Sequence, residues 1–560
     1  MPRWFFALPV AALGILAGHF VLLRREAQFL LIPALPGYVI TVLVFLAALP
    51  QLFRRREHAL SVRFLFIKRA LSAVGLVVLA FCAVRFLQFR GIIHARVKKA
   101  TIEKEERNTD LRALSWSRSF EALKNKLVAE YPFTEWKRIN WDMLYKEFAP
   151  RVAAAEASHD RRAFYKALRE FLWRIPDGHV ELEGDDDGLQ QDEVGSSFGF
   201  GLAELDDHRV VVSHMWPEGP AARAGITVGT ELIAWNGIPV EQALSTAPYF
   251  WSAEPPATVG GRRLEQLRFL PRSPAGSRAS LTMRKRGSSS AEDVTLTAVP
   301  SEITERGFSP LKEFYLGGPV ETRTLSSGCG YIRIRYVLPT LIQPYPEERL
   351  ANALRRFQKS SARGVILDVR GNFGGSDAMV ARMMAFFRSR EIVYEYPGVY
   401  NPAARRFEIM ESDAVRLVPA EPHYSGRVVV LIDARTLSSG EGIPLILKGL
   451  PNVSILGWHG THGSFAINKK TIFLPADLSA SFPQAQSIGP DRRIQIDSDY
   501  AGRGGVQPDW RPPLNENTFE AVFREDSDYL LGIGESVLLG GISIPNAVGD
   551  PSALTEIPRP

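Results

Sequence analysis

"DARTLSSGEGIPLILKG", residues 433–449, is the stretch on which the reading of this chain turns. It follows the apolar run Val428 to Ile432 and leads into a segment of helical pattern. Two adjacent serines, a glycine and a glutamate therefore stand at the turn leaving a buried strand. Serine in such a loop has an ordinary use as a helix cap. Its other use is as a nucleophile raised at a strand-to-helix turn, with backbone N–H groups beside it. What the rest of the chain brings to its strand ends decides between the two.

From about residue 329 the pattern is α/β. "GYIRIRYV" alternates as a strand, "LANALRRFQK" is an amphipathic helix, and "GVILDV" is a buried strand followed by "RGNFGGSDAMVARMMAFF". "RVVVLI" and "VSILGW" continue the series. Buried strands alternating with helices predict a largely parallel sheet, with chemistry at the carboxyl ends of its strands. The glycine loop and the serine loop both lie at such ends. Gly374 and Gly375 let backbone N–H groups face an incoming oxygen, which suits an oxyanion hole.

Residues 190–300 have a different character, with short alternating strands and many glycines. "PEGPAARAGITVGTELIAWNGIPV" predicts a small helix at Ala221 to Ala224 ended by Gly225, then a turn, the strand "ELIAWN" and a hairpin at Asn236-Gly237. The region resembles a PDZ module. That resemblance implies that Gly199, Phe200, Gly201 and Leu202 form a loop whose amides hold a peptide's terminal carboxylate, while the peptide adds a strand to the sheet edge. Residues 101–185 read as a helical lead-in, with Phe120, Leu123, Leu127 and Tyr131 on one stripe and Phe164, Leu168 and Phe171 on another. It ends at "IPDGHVEL", where Pro176, Asp177 and Gly178 make a turn.

The front of the chain reads as membrane. Residues 1–100 hold fourteen Lys and Arg against Glu26 and Glu57, a net +12; the whole chain is +6, so residues 101–560 carry −6. The rest of the chain has no basic excess for a phosphate backbone, which argues against a nucleic-acid partner. Trp4 to Leu23 and Phe29 to Phe53 are uncharged and long enough to span as helices. A third span over about 68–89 needs Lys68, Arg69 and Arg85 to snorkel. The basic stretch between spans two and three predicts a cytoplasmic loop, and hence an extracytoplasmic C-terminal part, although the cluster Arg90 to Lys99 pulls the other way. The expected location is a bacterial inner membrane, multi-pass. Cys82 and Cys329, the two cysteines, predict neither a disulfide framework nor a thiolate metal site.

"DGH", the PDZ-like insert, "YIRI", "LDVRGNFGG", "TLSSGEG", "GTHGS" and "GGVQPD" follow one another between about residues 115 and 515. In this order they resemble the family of C-terminal processing (tail-specific) peptidases and the tricorn protease core. The resemblance implies a multidomain chain with an α/β core of crotonase-like, ClpP-like type over 310–520 and a tail over 521–560. It implies Ser438 as nucleophile, counted three residues back from Glu441. The Ser439 N–H would then join Gly374 or Gly375 in the oxyanion hole.

Tail-specific members carry a general-base lysine in a "TFGKG"-like loop. Here that loop is "GWHGTHGSFA", with Ser464 in the lysine's place, so a Ser–Lys dyad at that position is excluded. Tricorn-like members use an upstream histidine, and His179 occupies the matching place; an imidazole takes a serine proton near neutrality. His462 and His459 are the competing bases. The orienting acid is expected just before "GVQPD", where Gly502 stands. Asp499 and Asp497 remain as displaced candidates, and Asp177 reads as a turn-shaping residue. "HGTH" has glycine-rich flanks, so neither a metal nor a cofactor is expected.

The function expected is that of a membrane-anchored serine endopeptidase acting on a protein or peptide substrate, recognised by its C-terminus. A non-catalytic binding protein on the same scaffold is the alternative. A lipase is disfavoured, because "LSSGEG" is not the "GxSxG" of that class.

Overall fold

The computed structural model describes residues 109–301, 318–340, 343–401, 403–404, 406–523 and 528–542. The three expected spans, Cys82 and residues 543–560 lie outside them. Among the described residues no helix is long and apolar enough to cross a membrane.

The lead-in forms three helices: α1 (Trp116–Glu130), α2 (Trp141–Ser158) and α3 (Arg161–Trp173). Asn140 and Asp160 cap α2 and α3 by accepting from Met143 and Ala163 N–H, which satisfies amides that a helix start leaves open. The aromatic stripes read from sequence meet each other. Phe120 and Phe171 pack edge to face at 4.9 Å, and Trp116 stacks on Phe164 at 4.6 Å.

The β domain follows: β1 (Phe200–Glu204), β2 (Val210–Met215), β3 (Glu231–Trp235), helix α4 (Val259–Phe269), β4 (Arg278–Arg284) and β5 (Glu292–Thr297). The strands run β1-β2-β3-β4-β5 in one antiparallel sheet, and the short strand Ile238–Pro239 pairs with β3. Its sheet packs on Phe198, Phe200, Val212, Leu232 and Leu281, while Trp251 and Phe269 join the core of the lead-in helices.

The third unit contains β6 (Val320–Thr324), β7 (Gly330–Ile334), α5 (Pro346–Lys359), β8 (Val365–Asp368), α6 (Asp377–Met384), β9 (Ile392–Asn401), β10 (Val428–Leu431), α7 (Ser439–Leu447), β11 (Val453–Leu456), β12 (Ala466–Leu474), β13 (Leu478–Ile488) and α8 (Tyr529–Leu538). β7, β8, β10 and β11 are parallel neighbours, with Ile332, Leu367, Val430 and Ile455 in register. β6 closes the edge antiparallel. Strands buried on both faces explain why these segments read as unbroken apolar runs rather than alternating ones. A second sheet joins β12, β13 and β9 to the short strand Glu181–Glu183, so the lead-in is hydrogen-bonded into the core.

The expected tail over 521–560 is corrected by α8. Leu530, Val537 and Leu538 cover Ile366, Val429 and Leu431 on one face of the parallel sheet, and Arg370 pairs with Asp528 at 2.6 Å. An uncovered parallel sheet face would expose this apolar surface to water.

The segment 511–523 straps the β domain to the core. Asp206 donates its N–H to Leu514 O at 2.9 Å, accepts the Leu514 N–H at 2.8 Å and pairs with Arg511 at 2.5 Å. Glu516 pairs with Arg209 and Arg286, and Phe519 buries against Leu205 and Val211. At its other end the β domain meets the core through α4: Val259 N–H donates to Gly502 O at 3.1 Å. Phe519→Ala removes the strap's buried ring. The Asp206 and Leu514 amides are then expected to lose protection from hydrogen exchange by more than about tenfold, while β10 is unchanged; amide exchange read by mass spectrometry checks it.

Candidate active site

The serine loop leaves β10, and its backbone is unusual. Ser438 has φ 57° and ψ −136°, a region that costs a non-glycine residue about 1–3 kcal/mol. Several contacts hold it there. Leu437 N–H donates to Asn372 O at 2.8 Å, and Ser438 N–H to Ser464 O at 3.1 Å. The result is a half-buried hydroxyl at the start of α7.

Asn372, fully buried, pins the glycine loop to the same turn. Its Nδ2 donates to Ile334 O at 2.9 Å, and its Oδ1 accepts Gly374 N–H at 2.9 Å. Gly374 has φ 97°, and a Cβ there would lie 2.7 Å from Ser438 Cβ and 3.0 Å from Ser439 N. Only glycine allows that approach. Of the two glycines expected at an oxyanion hole, Gly374 therefore has its amide committed to Asn372. The amides of Gly375 and Ser439 have no hydrogen-bond partner among the described residues.

His179 reaches this turn from far upstream. Its Nε2 lies 2.9 Å from Ser438 Oγ. Its Nδ1 lies 3.1 Å from Asp177 Oδ1, which also accepts the His179 N–H at 2.9 Å. Asp177 Oδ2 accepts the Tyr131 hydroxyl at 2.8 Å. Burial pushes Asp177 up, but the His179 hydrogen bond, that ring's charge and the Lys137 ammonium outweigh it and hold the carboxyl at about 2. A carboxylate ionised this firmly fixes the imidazole and steadies its charged form.

The acid on His179 is thus Asp177, not Asp499 or Asp497. Asp499 is turned to its own loop, accepting Ala501 N–H at 2.8 Å and pairing with Arg503 at 2.8 Å. Asp497 accepts Phe465 N–H at 2.8 Å and pairs at 2.5 Å with Lys137; both side chains are fully buried. The competing histidines stand elsewhere. His462 Nδ1 lies 3.0 Å from Ser464 Oγ and packs behind Gly178, where burial pushes its ring down to about 4. His459 lies against Gly260 of α4.

Ser464, in the place of the expected lysine, joins the two halves of the site. Its Oγ accepts Gly178 N–H at 2.8 Å, its carbonyl accepts Ser438 N–H, and its own N–H donates to Glu441 at 3.0 Å. Glu441 also accepts Gly463 N–H at 2.8 Å and the Thr461 hydroxyl at 2.5 Å. It is a latch on the 461–464 loop rather than only a partner for the helix dipole. No local pattern marked Lys137; Tyr131 read only as part of a helix stripe, and Ser464 only as the residue in the lysine's place. The only available signal for Asp177 was its place two residues before the histidine.

The amides expected to hold a carboxylate in the β domain are placed differently. Gly199 N–H donates to Ser197 Oγ at 2.9 Å. Phe200, Gly201 and Leu202 belong to β1 and pair with Met215, His214 and Val212. Among the described residues no cluster of three His, Cys, Asp or Glu could hold a metal.

A serine hydroxyl, an imidazole and a carboxylate in line beside a strand-to-helix turn form the arrangement of a nucleophile, its base and an orienting acid. Residues 328–511 match the model of Peptidase family S41. The chain is similar to carboxy-terminal processing protease CtpB of Bacillus subtilis (strain 168), 23% identical over 218 residues, covering 39% of this chain and 38% of that protein. The matched region thus spans well under half of either protein. The structure of mature CPAF complexed with lactacystin is similar at TM-score 0.53 and 14% identity, covering 76% of this chain and 99% of that one. Mature CPAF alone gives 0.52 at 14% identity, over 77% and 99%. At that identity the likeness is one of fold.

Burial pushes the Glu441 carboxyl up to about 8, against the pull of Thr461 and the two loop amides. The folded chain therefore keeps a proton that the unfolded chain releases near 4.5. This contribution to stability is complete below that value and is lost as pH rises through about 8. Glu441→Gln keeps the oxygen acceptor without the charge. Denaturant midpoints are expected to fall less between pH 5 and 8 in this variant than in the wild type.

Proposed function

We propose that the chain is a membrane-tethered serine endopeptidase working through Ser438, His179 and Asp177. The observation that carries this is the 2.9 Å contact between Ser438 Oγ and His179 Nε2, backed by Asp177 on the other ring nitrogen. Ser438 Oγ attacks a peptide carbonyl carbon while its proton passes to His179 Nε2. The oxyanion forms against the open amides of Gly375 and Ser439. The C–N bond breaks as His179 returns the proton to the leaving amine. Water then repeats the sequence on the acyl-enzyme, and the free hydroxyl is restored.

We read the β domain as PDZ-like, supported by its antiparallel strand order and by α4, and its ligand as a protein substrate's C-terminal segment. With Gly199 committed to Ser197, strand addition at β1 carries more of that recognition than carboxylate capture does. The uncharged stretches at 4–23 and 29–53 support a membrane tether, with the catalytic part extracytoplasmic. The binding-protein alternative drew its force from the absent lysine and the uncertain acid. His179 and Asp177 supply a base and an acid without them.

A fluorophosphonate probe is expected to label the wild type at Ser438 and to leave Ser438→Ala unlabelled. His179→Ala and Asp177→Asn are expected to lose labelling rate by about 10³-fold or more. Unlabelled wild-type protein would sink the peptidase reading.

A further inference from the structure

The turn between α1 and α2, "YPFTEWKR" at 131–138, grips the acid side of the site at several points. Tyr131 is buried, and its hydroxyl donates to Asp177 Oδ2 at 2.8 Å across 46 residues of sequence. Its ring is fixed edge to face against Phe133 and Trp141, each at 5.9 Å. Trp136 Nε1 donates to Asp497 O at 3.2 Å. Lys137 Nζ donates to Ser498 O at 2.9 Å and to Ser498 Oγ at 2.7 Å besides pairing with Asp497. Arg138 lies over the Tyr500 ring at 3.6 Å.

We infer that Tyr131 is a positioning residue for the reaction, setting through Asp177 both the orientation and the proton affinity of His179. This rests on the peptidase reading and extends it to a turn outside the matched residues 328–511. The carboxylate has two oxygens with separate tasks. Oδ1 takes the imidazole and the His179 amide, and Oδ2 takes the phenol. Two anchored oxygens fix rotation about the Cβ–Cγ bond, so Oδ1 stays in line with Nδ1.

The charged and titratable groups facing Asp177 are His179 and His462 from the turn and the 461–464 loop, Tyr131 and Lys137 from the α1–α2 turn, and Asp497 behind the lysine. Tyr131 stays protonated, its hydroxyl pushed far up by burial and by the two carboxylates, so it acts as a donor throughout the working range. Without that donor Oδ2 would stand buried and unpaired, and the less stabilised carboxylate would hold the imidazolium proton more tightly.

Tyr131→Phe keeps the ring and removes only the hydroxyl. In full-length protein the fluorophosphonate labelling rate is expected to drop about tenfold at its plateau, the scale of one hydrogen bond to a charged group. The acid limb of the rate's pH profile is expected to move to higher pH. The same displacement should appear in the His179 ring signal of ¹³C-histidine-labelled protein titrated by NMR, a readout that needs no turnover. A mere packing defect would lower labelling equally at every pH and leave both limb and titration in place; that result overturns the role given to Tyr131. If the wild type is unlabelled, the peptidase reading falls, and the NMR titration still decides whether Tyr131 sets the ring through Asp177.

Discussion

The contact between Ser438 and His179 joins residues 259 apart in sequence, and one short loop holds both partners. The 461–464 loop accepts the Ser438 amide through Ser464 O, accepts the Gly178 amide through Ser464 Oγ, and is itself fastened to Glu441 in the first turn of α7. The nucleophile turn and the base turn are thus bonded to one residue. A side chain much larger than serine at 464 would displace Gly178 or His462, which crowd it. A lysine there would find its space already taken. The absent lysine and the presence of an upstream histidine are therefore one structural choice seen from two sides.

Holding the base has an electrostatic cost. The side chains of Asp177 and Asp497 are both fully buried, and the Asp177 charge raises the proton affinity of Asp497. Unpaired, two such carboxylates could not both remain ionised in so dry a place. Lys137, also without exposure, is the cation that relieves them, and its hydrogen bonds to Ser498 satisfy its remaining donors. Asp497 is pushed up to about 6 by burial while Asp177 is held at about 2. The two like groups have separate partners: Asp177 holds the His179 ring and amide, and Asp497 holds Lys137 and the Phe465 amide outside the reacting line.

Much of the sheet was legible because burial writes itself into sequence. Val428 to Leu431 and Val365 to Asp368 are buried on both faces, and each read as an apolar run ending in a polar turn. The serine and glycine loops were legible because strand ends concentrate chemistry. The acid was not. Asp177 lies two residues before His179, where a carboxylate commonly folds back on a local amide to shape a turn. It does so here, accepting the His179 N–H, and the same oxygen takes the ring. One residue with two tasks reads from sequence as having only the simpler one. Tyr131 and Lys137 act across gaps of 46 and 361 residues, where no spacing rule reaches. In α8, two glycines in "YLLGIGESVL" weaken the helix signal, and its burial depends on a sheet face assembled from distant segments.

Two of the attachments between the β domain and the α/β core, among the described residues, differ in chemistry. The strap at 511–523 combines ion pairs with a small apolar cluster around Phe519. At α4 the contact is backbone: Val259 donates to Gly502, and a Cβ on Gly463 would lie 2.8 Å from Thr258 Cγ2. Gly463 and Gly502 have φ of 79° and 70°, so both loops bend sharply where the helix start arrives. Gly463 N–H is one of the three groups held by Glu441. Any shift of α4 along its axis therefore presses on the loop that carries Ser464, while the strap at the opposite end limits how far such a shift can go. The start of α4 therefore packs on the same loop that holds the Ser438 and Gly178 amides through Ser464.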